Sequence, residues 1–452
     1  MKLEIKRKDW IIERLGDFAI SEKGKKPKNQ SETQTEEFKY PYVDIQGFEK
    51  HIFDSYTDGV KCNFCTEDDF LMVWDGSRSG LVGKAVAGTI GSTLVKINLP
   101  MIENHFAYYF LKSKYLEINT NAKGTGTPHV NPDLLWNYSF PIVPTLEQKE
   151  IVAKIEQLFS ELDNAVVNLE TAKAKLKIYR QAVLKKAFEG ELTKEWREKQ
   201  TNLPTADEAL KEIDNEKYSL GYKIKNRVNS WSYYPIGNIC EFQQGMQIAK
   251  SSRLKKEEKD TLPILRIKNY RDGFKTDVEH IKIDEKSLIA EPHDLIVTRT
   301  GESRGDILTG FRGVFHNNTF RINYDKNIFT RKYLLYYLTF SEVQNYIKFV
   351  SGRTGQPDLT HRNFGPCPVI IPSILEQAQI VQEIESRLSV CDKIEETIEN
   401  SLAKSEALRQ SILKKAFEGK LLSEKELENI KNHPEYESAK ELLKRIKKER
   451  DK

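Results

Sequence analysis

From Ile151 the apolar residues recur at spacings of three and four: Ile151, Ile155, Leu158, Leu162, Ala165, Leu169, Ala172, Leu176, Tyr179 and Val183. The pattern returns from Ile380 through Ile384, Leu388, Cys391, Ile394, Ile398, Leu402, Ser405, Leu408 and Ile412. This alternation predicts a narrow apolar seam of coiled-coil type, about five heptads long in each case. Neither helix can hide such a seam alone. Two seams of equal length in one chain are expected to pair with each other, antiparallel, as a rod on the order of 60 Å long. The alternative is two ordinary bundle helices in separate domains. Elsewhere the apolar runs shorten to strand length ("YPYVDI", "FLMVW", "STLVKI"; "LPILRI", "DLIVTR", "FRIN") between glycine turns. Each set is followed by a helical pattern, "HFAYYFLKSKYLEI" or "RKYLLYYLTFSEVQNYIKFV".

The two seams are copies of one another. Leu146–Leu192 aligns without a gap on Leu375–Leu421, 22 of 47 positions are identical, and both copies end in "LKKAFEG". A repeat of this kind has to be settled first, because it defines the unit whose function is read. The match extends upstream: Trp10 falls on Trp231, Gly16 on Gly237, Gly24 on Gly245, "DFLMVWDGSRSG" on "DLIVTRTGESRG", and "TGTPHV" on "TGQPDL". The chain is therefore two half-molecules, about Trp10 to Lys217 and Trp231 to Arg450, each a variable segment followed by a better-matched one. Pro141 and Pro144, and Pro368 and Pro372, stand where each variable segment leads into its helix. Lysines then favour the negative C-terminal dipole, and Gly190 or Gly419 supplies the cap. A shared docking surface would account for the retained letters, which makes Lys185, Lys186, Phe188, Glu189, Lys414, Lys415, Phe417 and Glu418 candidates for contact with a partner.

With 452 residues the prior is about three domains. Charged residues make up 31% and the mean hydropathy is -0.59, as expected of a soluble protein. No apolar run is long enough to span a bilayer, and the start "MKLEIKRKDW" lacks the apolar core of a signal peptide. Five cysteines without a framework suit a reducing cytoplasm. A net charge of +4 does not by itself argue for nucleic acid, so any such surface has to be local.

Polar glycine turns at matching places in the two copies supply candidates for that surface. In the first copy they carry Gln46, Arg78, Lys84, Lys123, Thr125, Thr127 and His129. In the second they carry Arg266, Lys268, Asn269, Arg299, Arg304, Arg353, Thr354 and Gln356. Arg and Lys can bond guanine O6/N7, and Asn and Gln can bond adenine N6/N7, in the major groove. Threonines and open backbone N–H groups suit phosphates. One such turn is common on any protein surface. Matching turns with unlike side chains look like one scaffold carrying two reading heads.

Motifs for catalysis are missing from the sequence. "CNFC" (Cys62 to Cys65) is a lone CxxC, "GLVGKA" has the wrong glycine spacing for a phosphate loop and Ala85 where Ser or Thr is needed, and no HExxH or GxSxG occurs. Nor does the Asn/Asp-Pro-Pro-Tyr/Phe element of amino-methyltransferases.

Two divergent domains that begin "W...LGD" or "W...IGN", pass through "TGTPHV" or "TGQPDL", and exit by "VPTLEQKEIVAKIE" or "IPSILEQAQIVQEIE" into helices ending "LKKAFEG" resemble a specificity subunit of a Type I restriction-modification system. The resemblance spans nearly the whole chain. It implies an α+β fold of two similar mixed α/β target recognition domains separated by two long helices packed as an antiparallel coiled coil, with internal pseudo-twofold symmetry. The expected segments are 1–145 and 231–374 for the recognition domains and 146–192 and 375–421 for the long helices. A helical connector is expected over 193–230 and a charged C-terminal helix over 422–452. The implied role is non-catalytic: each domain reads half of a bipartite asymmetric site in double-stranded DNA. The implied partners are two methyltransferase subunits that use S-adenosylmethionine to methylate adenine, and ATP- and Mg-dependent restriction subunits. No cofactor, metal or membrane is expected for this chain, and the location is cytoplasmic. The rivals are a fused nuclease or methyltransferase and a coiled-coil scaffold with no DNA role. His129 stands where the second copy has Asp358, which leaves any shared role there open.

Overall fold

A computed structural model describes residues 7–450 apart from 125, 202, 204–209, 211–216, 225–226 and 353–356. The chain forms two compact units, Met1–Leu169 with Glu399–Lys452, and Glu170–Ile398. Among the described residues, no helix is long and apolar enough to cross a membrane.

The first unit is closed by an antiparallel ladder of Ile11–Arg14 on Ser139–Ile142. Inside it lies a four-stranded sheet in the order Ile20–Lys23, Leu94–Asn98, Phe70–Val73, Val82–Lys84. Phe70–Val73 is buried at every position, as a strand covered on both faces must be. A second sheet is built around the parallel pair Tyr40–Val43 and Gly88–Ile90.

The second unit repeats the plan. Ser232–Pro235 closes on Pro368–Ile371. Cys240–Gln244, Thr319–Tyr324, Leu295–Thr298 and Ile307–Leu308 form its four-stranded sheet, and Thr261–Leu265 runs parallel to Gly313–Phe315 in the other. The pairing of Ile264 with Val314 reproduces that of Tyr42 with Thr89, so the repeat holds at the level of strand register. Each helical stretch expected as one element is two: Asn104–Ser113 and Tyr115–Thr120 in the first unit, Arg331–Thr339 and Ser341–Val350 in the second.

The long helices are Thr145–Phe188 and Ile374–Phe417. In each unit the N-terminal part of one lies antiparallel to the C-terminal part of the other. Asp163 pairs with Arg409 in the first unit, while Arg180 reaches Asp392 (2.7 Å) and Glu395 (2.9 Å) in the second. Arg180 and Arg409 are repeat-equivalent, as are Asp163 and Asp392, so the two ion pairs are one interaction written twice.

The expected seam needs correction in the middle. Ala165, Tyr179, Ile394 and Leu408 face solvent, and the half-buried places belong to Val166, Arg180, Glu395 and Arg409. The seven-residue repeat itself is kept, but through the middle the four-residue step comes before the three-residue one, as in Cys391, Glu395, Ile398, Leu402, Ser405, Arg409 and Ile412, so only the alternate position moves by one residue. Arg409 fills its place by laying its guanidinium 5.0 Å from the Phe159 ring centroid.

The repeated peptide is explained by packing. Phe417 is fully buried in the first unit, edge-on to Phe106 (5.2 Å) and Phe110 (5.3 Å). Phe188 packs in the second unit against Tyr333 (5.6 Å), Tyr337 (5.0 Å) and Phe340 (5.4 Å). Ala187 and Ala416 are fully buried, and Gly190 and Gly419 have φ of 77° and 72°, a left-handed cap that suits glycine. Lys185–Glu189 and Lys414–Glu418 are i,i+4 pairs at 3.9 Å. The two phenylalanines are therefore core residues of the chain itself, which corrects their expected place on a docking surface. Lys185, Lys186, Lys414 and Lys415 remain exposed.

The start of each long helix is held by a matching polar knot. Trp10 Nε1 donates to Glu147 (3.1 Å) and Trp231 Nε1 to Glu376 (2.8 Å). Arg7 completes the first knot at 3.3 Å, and Arg197, from the short helix Lys194–Glu198, completes the second at 2.9 Å. Burial raises the Glu147 carboxyl above its usual range against the pull of Arg7, whereas hydrogen bonding to Arg7 brings Asp9 down to about 2. The adjacent glutamines fasten loops: Gln148 accepts from Glu103 N (2.7 Å) and Gln377 from Thr330 N (2.7 Å).

In place of one charged C-terminal helix there are two, Glu424–Lys431, opened by a Ser423 capping box, and Ala439–Arg450. Ala439, Leu442 and Ile446 of the latter enter the first unit's core.

Candidate nucleic-acid interface

Four loops meet in each unit, joined by the same backbone hydrogen bonds. In the first unit Gly24 N donates to Leu94 O (2.9 Å), Trp74 N to Thr93 O (2.8 Å), Gly76 N to Pro128 O (2.7 Å) and Val130 N to Trp74 O (2.9 Å). In the second, Gly245 N donates to Thr319 O (3.0 Å), Arg299 N to Asn318 O (2.7 Å), Gly301 N to Pro357 O (3.3 Å) and Leu359 N to Arg299 O (2.9 Å). Turns separated by about fifty residues in the chain thus become neighbours. Glycine is required at the crossings: a Cβ on Gly24 would overlap Gly91 O, and one on Gly245 would overlap His316 O.

The side chains on this common frame differ. In the second unit Arg299 makes a two-pronged bond to Asp358 (2.5 and 2.6 Å), whose carboxylate raises the guanidinium pKa further. Arg304 donates to Ser351 Oγ (2.6 Å) and to the carbonyls of Gly301 (3.3 Å) and Gly352 (3.4 Å). Both arginines thereby brace the turn on which they sit. In the first unit Trp74 occupies the place of Arg299 and His129 that of Asp358, so the two copies use different chemistry there. Lys123 and His129 exchange backbone hydrogen bonds (2.9 and 2.8 Å), Lys123 Nζ reaches Asp133 (2.8 Å), and Thr127 is exposed on the same loop. Arg78 lies across this turn in an ion pair with Glu49, and Gln46 bonds Asp54 (3.2 Å) from the helix Ile45–Lys50.

Four expected positions stand apart from this cluster. Lys84 reaches Glu156 on the first long helix (3.4 Å). Arg266 and Lys268 stand at the start of the short helix Ile267–Asp272, where they pair with Glu279 (2.8 Å) and Asp277 (3.4 Å). Asn269 is fully buried, its amide donating to Thr276 O (3.0 Å), and so is removed as a base reader. Thr125, Arg353, Thr354 and Gln356 lie outside the described residues.

The loops that cross at Gly24 and Gly245 were not among the expected sites, although "GKKPK" follows the matched glycine of the first copy. Lys25, Lys26 and Lys28 are exposed there, and Asn317 and Asn318 lie on the adjoining loop of the second unit. Of the "CNFC" cysteines, Cys65 is buried, which pushes its thiol up to about 11.

A solved structure concerned with complex assembly and conformational transition of the type I R-M system shares this fold at a TM-score of 0.66 and 16% identity, over 91% of this chain and 98% of its own. The HsdS subunit from Thermoanaerobacter tengcongensis matches at 0.52 and 16% identity, over 91% and 97%. By sequence, the chain is 27% identical over 398 residues to the EcoBI specificity subunit of Escherichia coli, covering 85% of this chain and 80% of that one. It is 26% identical over 371 residues to the EcoKI specificity subunit of Escherichia coli K12, covering 77% and 72%. Residues 7–170 and 229–404 each match the family model of the Type I restriction modification DNA specificity domain, and the chain, carrying that domain twice, belongs to this family.

Proposed function

We propose that each unit reads one half of a split, asymmetric site in duplex DNA, and that the paired long helices hold the two reading surfaces at a set distance. The observation that supports this reading is the loop cluster built twice on the same backbone bonds with unlike side chains, Trp74 and His129 against Arg299 and Asp358. A frame that stays constant while its side chains vary is suited to different base sequences. On this reading the chain positions chemistry that partners carry out. Two methyltransferase subunits supply S-adenosylmethionine-dependent adenine methylation, docking along the helices where the exposed lysines of both "LKKAFEG" ends lie. Restriction subunits supply ATP- and Mg-dependent cleavage. The site of action is the cytoplasm.

Mapping methylated adenines genome-wide in cells with and without this chain tests the reading. A bipartite motif should vanish with the chain. Persistence of every methylated motif would sink it.

The distance-setting role has its own test. Seven residues inserted after Thr171 and seven after Asn400, which are repeat-equivalent, keep the heptads in register and lengthen the coil by about 10 Å. At about 3.4 Å per base pair, the spacer between half-sites should grow by roughly three base pairs while the half-sites stay the same. Efficient methylation at the original spacing would show that the helices do not set the distance.

A further inference from the structure

The loop after Ile20–Lys23 carries three cations that none of the described residues neutralises. Lys23 is held by Asp75 (2.9 Å), but Lys25, Lys26 and Lys28 are exposed and, among the described residues, have no ion pair or ammonium hydrogen bond. Glu32, Glu36 and Glu37 follow on the next stretch of chain, also exposed, and none comes within ion-pair distance of the lysines. The loop is not a loose tail. Gly24 N bonds Leu94 O (2.9 Å), Lys25 N bonds Ile90 O (3.2 Å), and Pro27 is buried, so the backbone is fastened between the three side chains. Its anchor is the turn that also receives Trp74 and Asp75 N–H groups through Thr93 O (2.8 and 3.3 Å). The three ammonium groups therefore stand at the rim of the loop cluster. The equivalent loop of the second unit is anchored by Met246 N to Phe315 O (3.1 Å) and buried Ile248; the four positions after its glycine, Met246 to Ala249, carry no cation, and its lysines come later, at Lys250, Lys255, Lys256 and Lys259.

We propose that Lys25, Lys26 and Lys28 form a sequence-independent clamp on the DNA phosphate backbone. The inference rests on the DNA-reading role proposed above. A lysine is a flexible point charge, suited to phosphate oxygens, whereas a base edge favours a planar group held in one orientation. Three neutralised phosphates release their counterions, and binding then weakens with salt in proportion to their number.

The test uses the assembled methyltransferase complex and two duplexes of equal length, one with the sequence found by methylation mapping and one scrambled. In the triple variant Lys25→Gln, Lys26→Gln, Lys28→Gln, the slope of log affinity against log salt should become shallower by roughly 2 to 3. Between about 50 and 200 mM salt the variant should then lose roughly forty-fold less affinity than the parent. Preference for the cognate duplex should be unchanged. Lys250→Gln should change the slope by about 1 or less, and three Lys→Arg changes should preserve it. A parental slope in the triple glutamine variant overturns the clamp, and so does an altered methylated sequence, which would make these lysines base readers. If the parent complex itself fails to prefer the cognate duplex, the DNA-reading role is what has failed.

Discussion

Exchanging Leu15–Tyr138 for the equivalent segment of a family relative will replace one half of the methylated sequence and leave the other half as it was. The boundaries lie just inside the closing ladder of Ile11–Arg14 with Ser139–Ile142, so the transplanted segment keeps the frame that both copies share. Trp10 and Glu147, which knot the ladder to the start of the first long helix, stay in place. All loops of the first cluster, from Gly24 to His129, travel together with their mutual hydrogen bonds. The second cluster has the same bonds within residues 245–359 and needs nothing from the exchanged segment to keep its geometry. Sequencing of methylated sites gives the answer: change in both halves, or in neither, rules out independent reading.

Truncating Phe417 to Ala should cost about 3–5 kcal/mol, felt in the first unit, and truncating Phe188 should cost a similar amount in the second. Each ring is buried and meets two or three aromatic partners edge-on or tilted, contacts that add about 0.5–1.5 kcal/mol beyond simple burial. The adjacent alanines are fully buried and leave little slack for the hole to collapse. A two-unit protein need not unfold in one step, so a single melting temperature would blur the result. Hydrogen exchange read residue by residue separates the units: Phe417→Ala should lower protection in the Asn104–Ser113 helix, and Phe188→Ala in Arg331–Thr339. A loss below about 1 kcal/mol, or one shared equally by both units, would contradict this packing. Lys414→Ala and Lys185→Ala, on the exposed face, should stay within about 0.5 kcal/mol.

The retained letters of the repeat are accounted for by these contacts. Tryptophan, glutamate and glutamine in the matched motifs make the knots at the helix starts, and Ala, Phe and Gly in "LKKAFEG" end each helix inside a core. Glu147 and Glu376 are nearly without solvent contact yet each meets an indole N–H and a guanidinium, the pairing a buried carboxylate requires.

By itself the sequence determined the duplication, the two long helices with their glycine ends, six of the strands and the family resemblance. Each of these is carried by local or periodic signals: spacing of apolar residues, glycine after lysine, one copy laid on the other. Only the tertiary structure decided what depends on which distant residues meet. Asn269 sits on a polar turn like any candidate reader, but its amide satisfies Thr276 O in the interior. Arg299 and Arg304 look free in the sequence and are occupied in the fold by Asp358 and Ser351, about fifty residues away. Phe188 carries no mark in its own helix that says whose core it enters. The lysines after Gly24 became candidates once backbone bonds placed their loop beside turns far along the chain. Local patterns state what a segment prefers to be, whereas a site is a set of long-range contacts, and those are chosen by the packing of the whole unit.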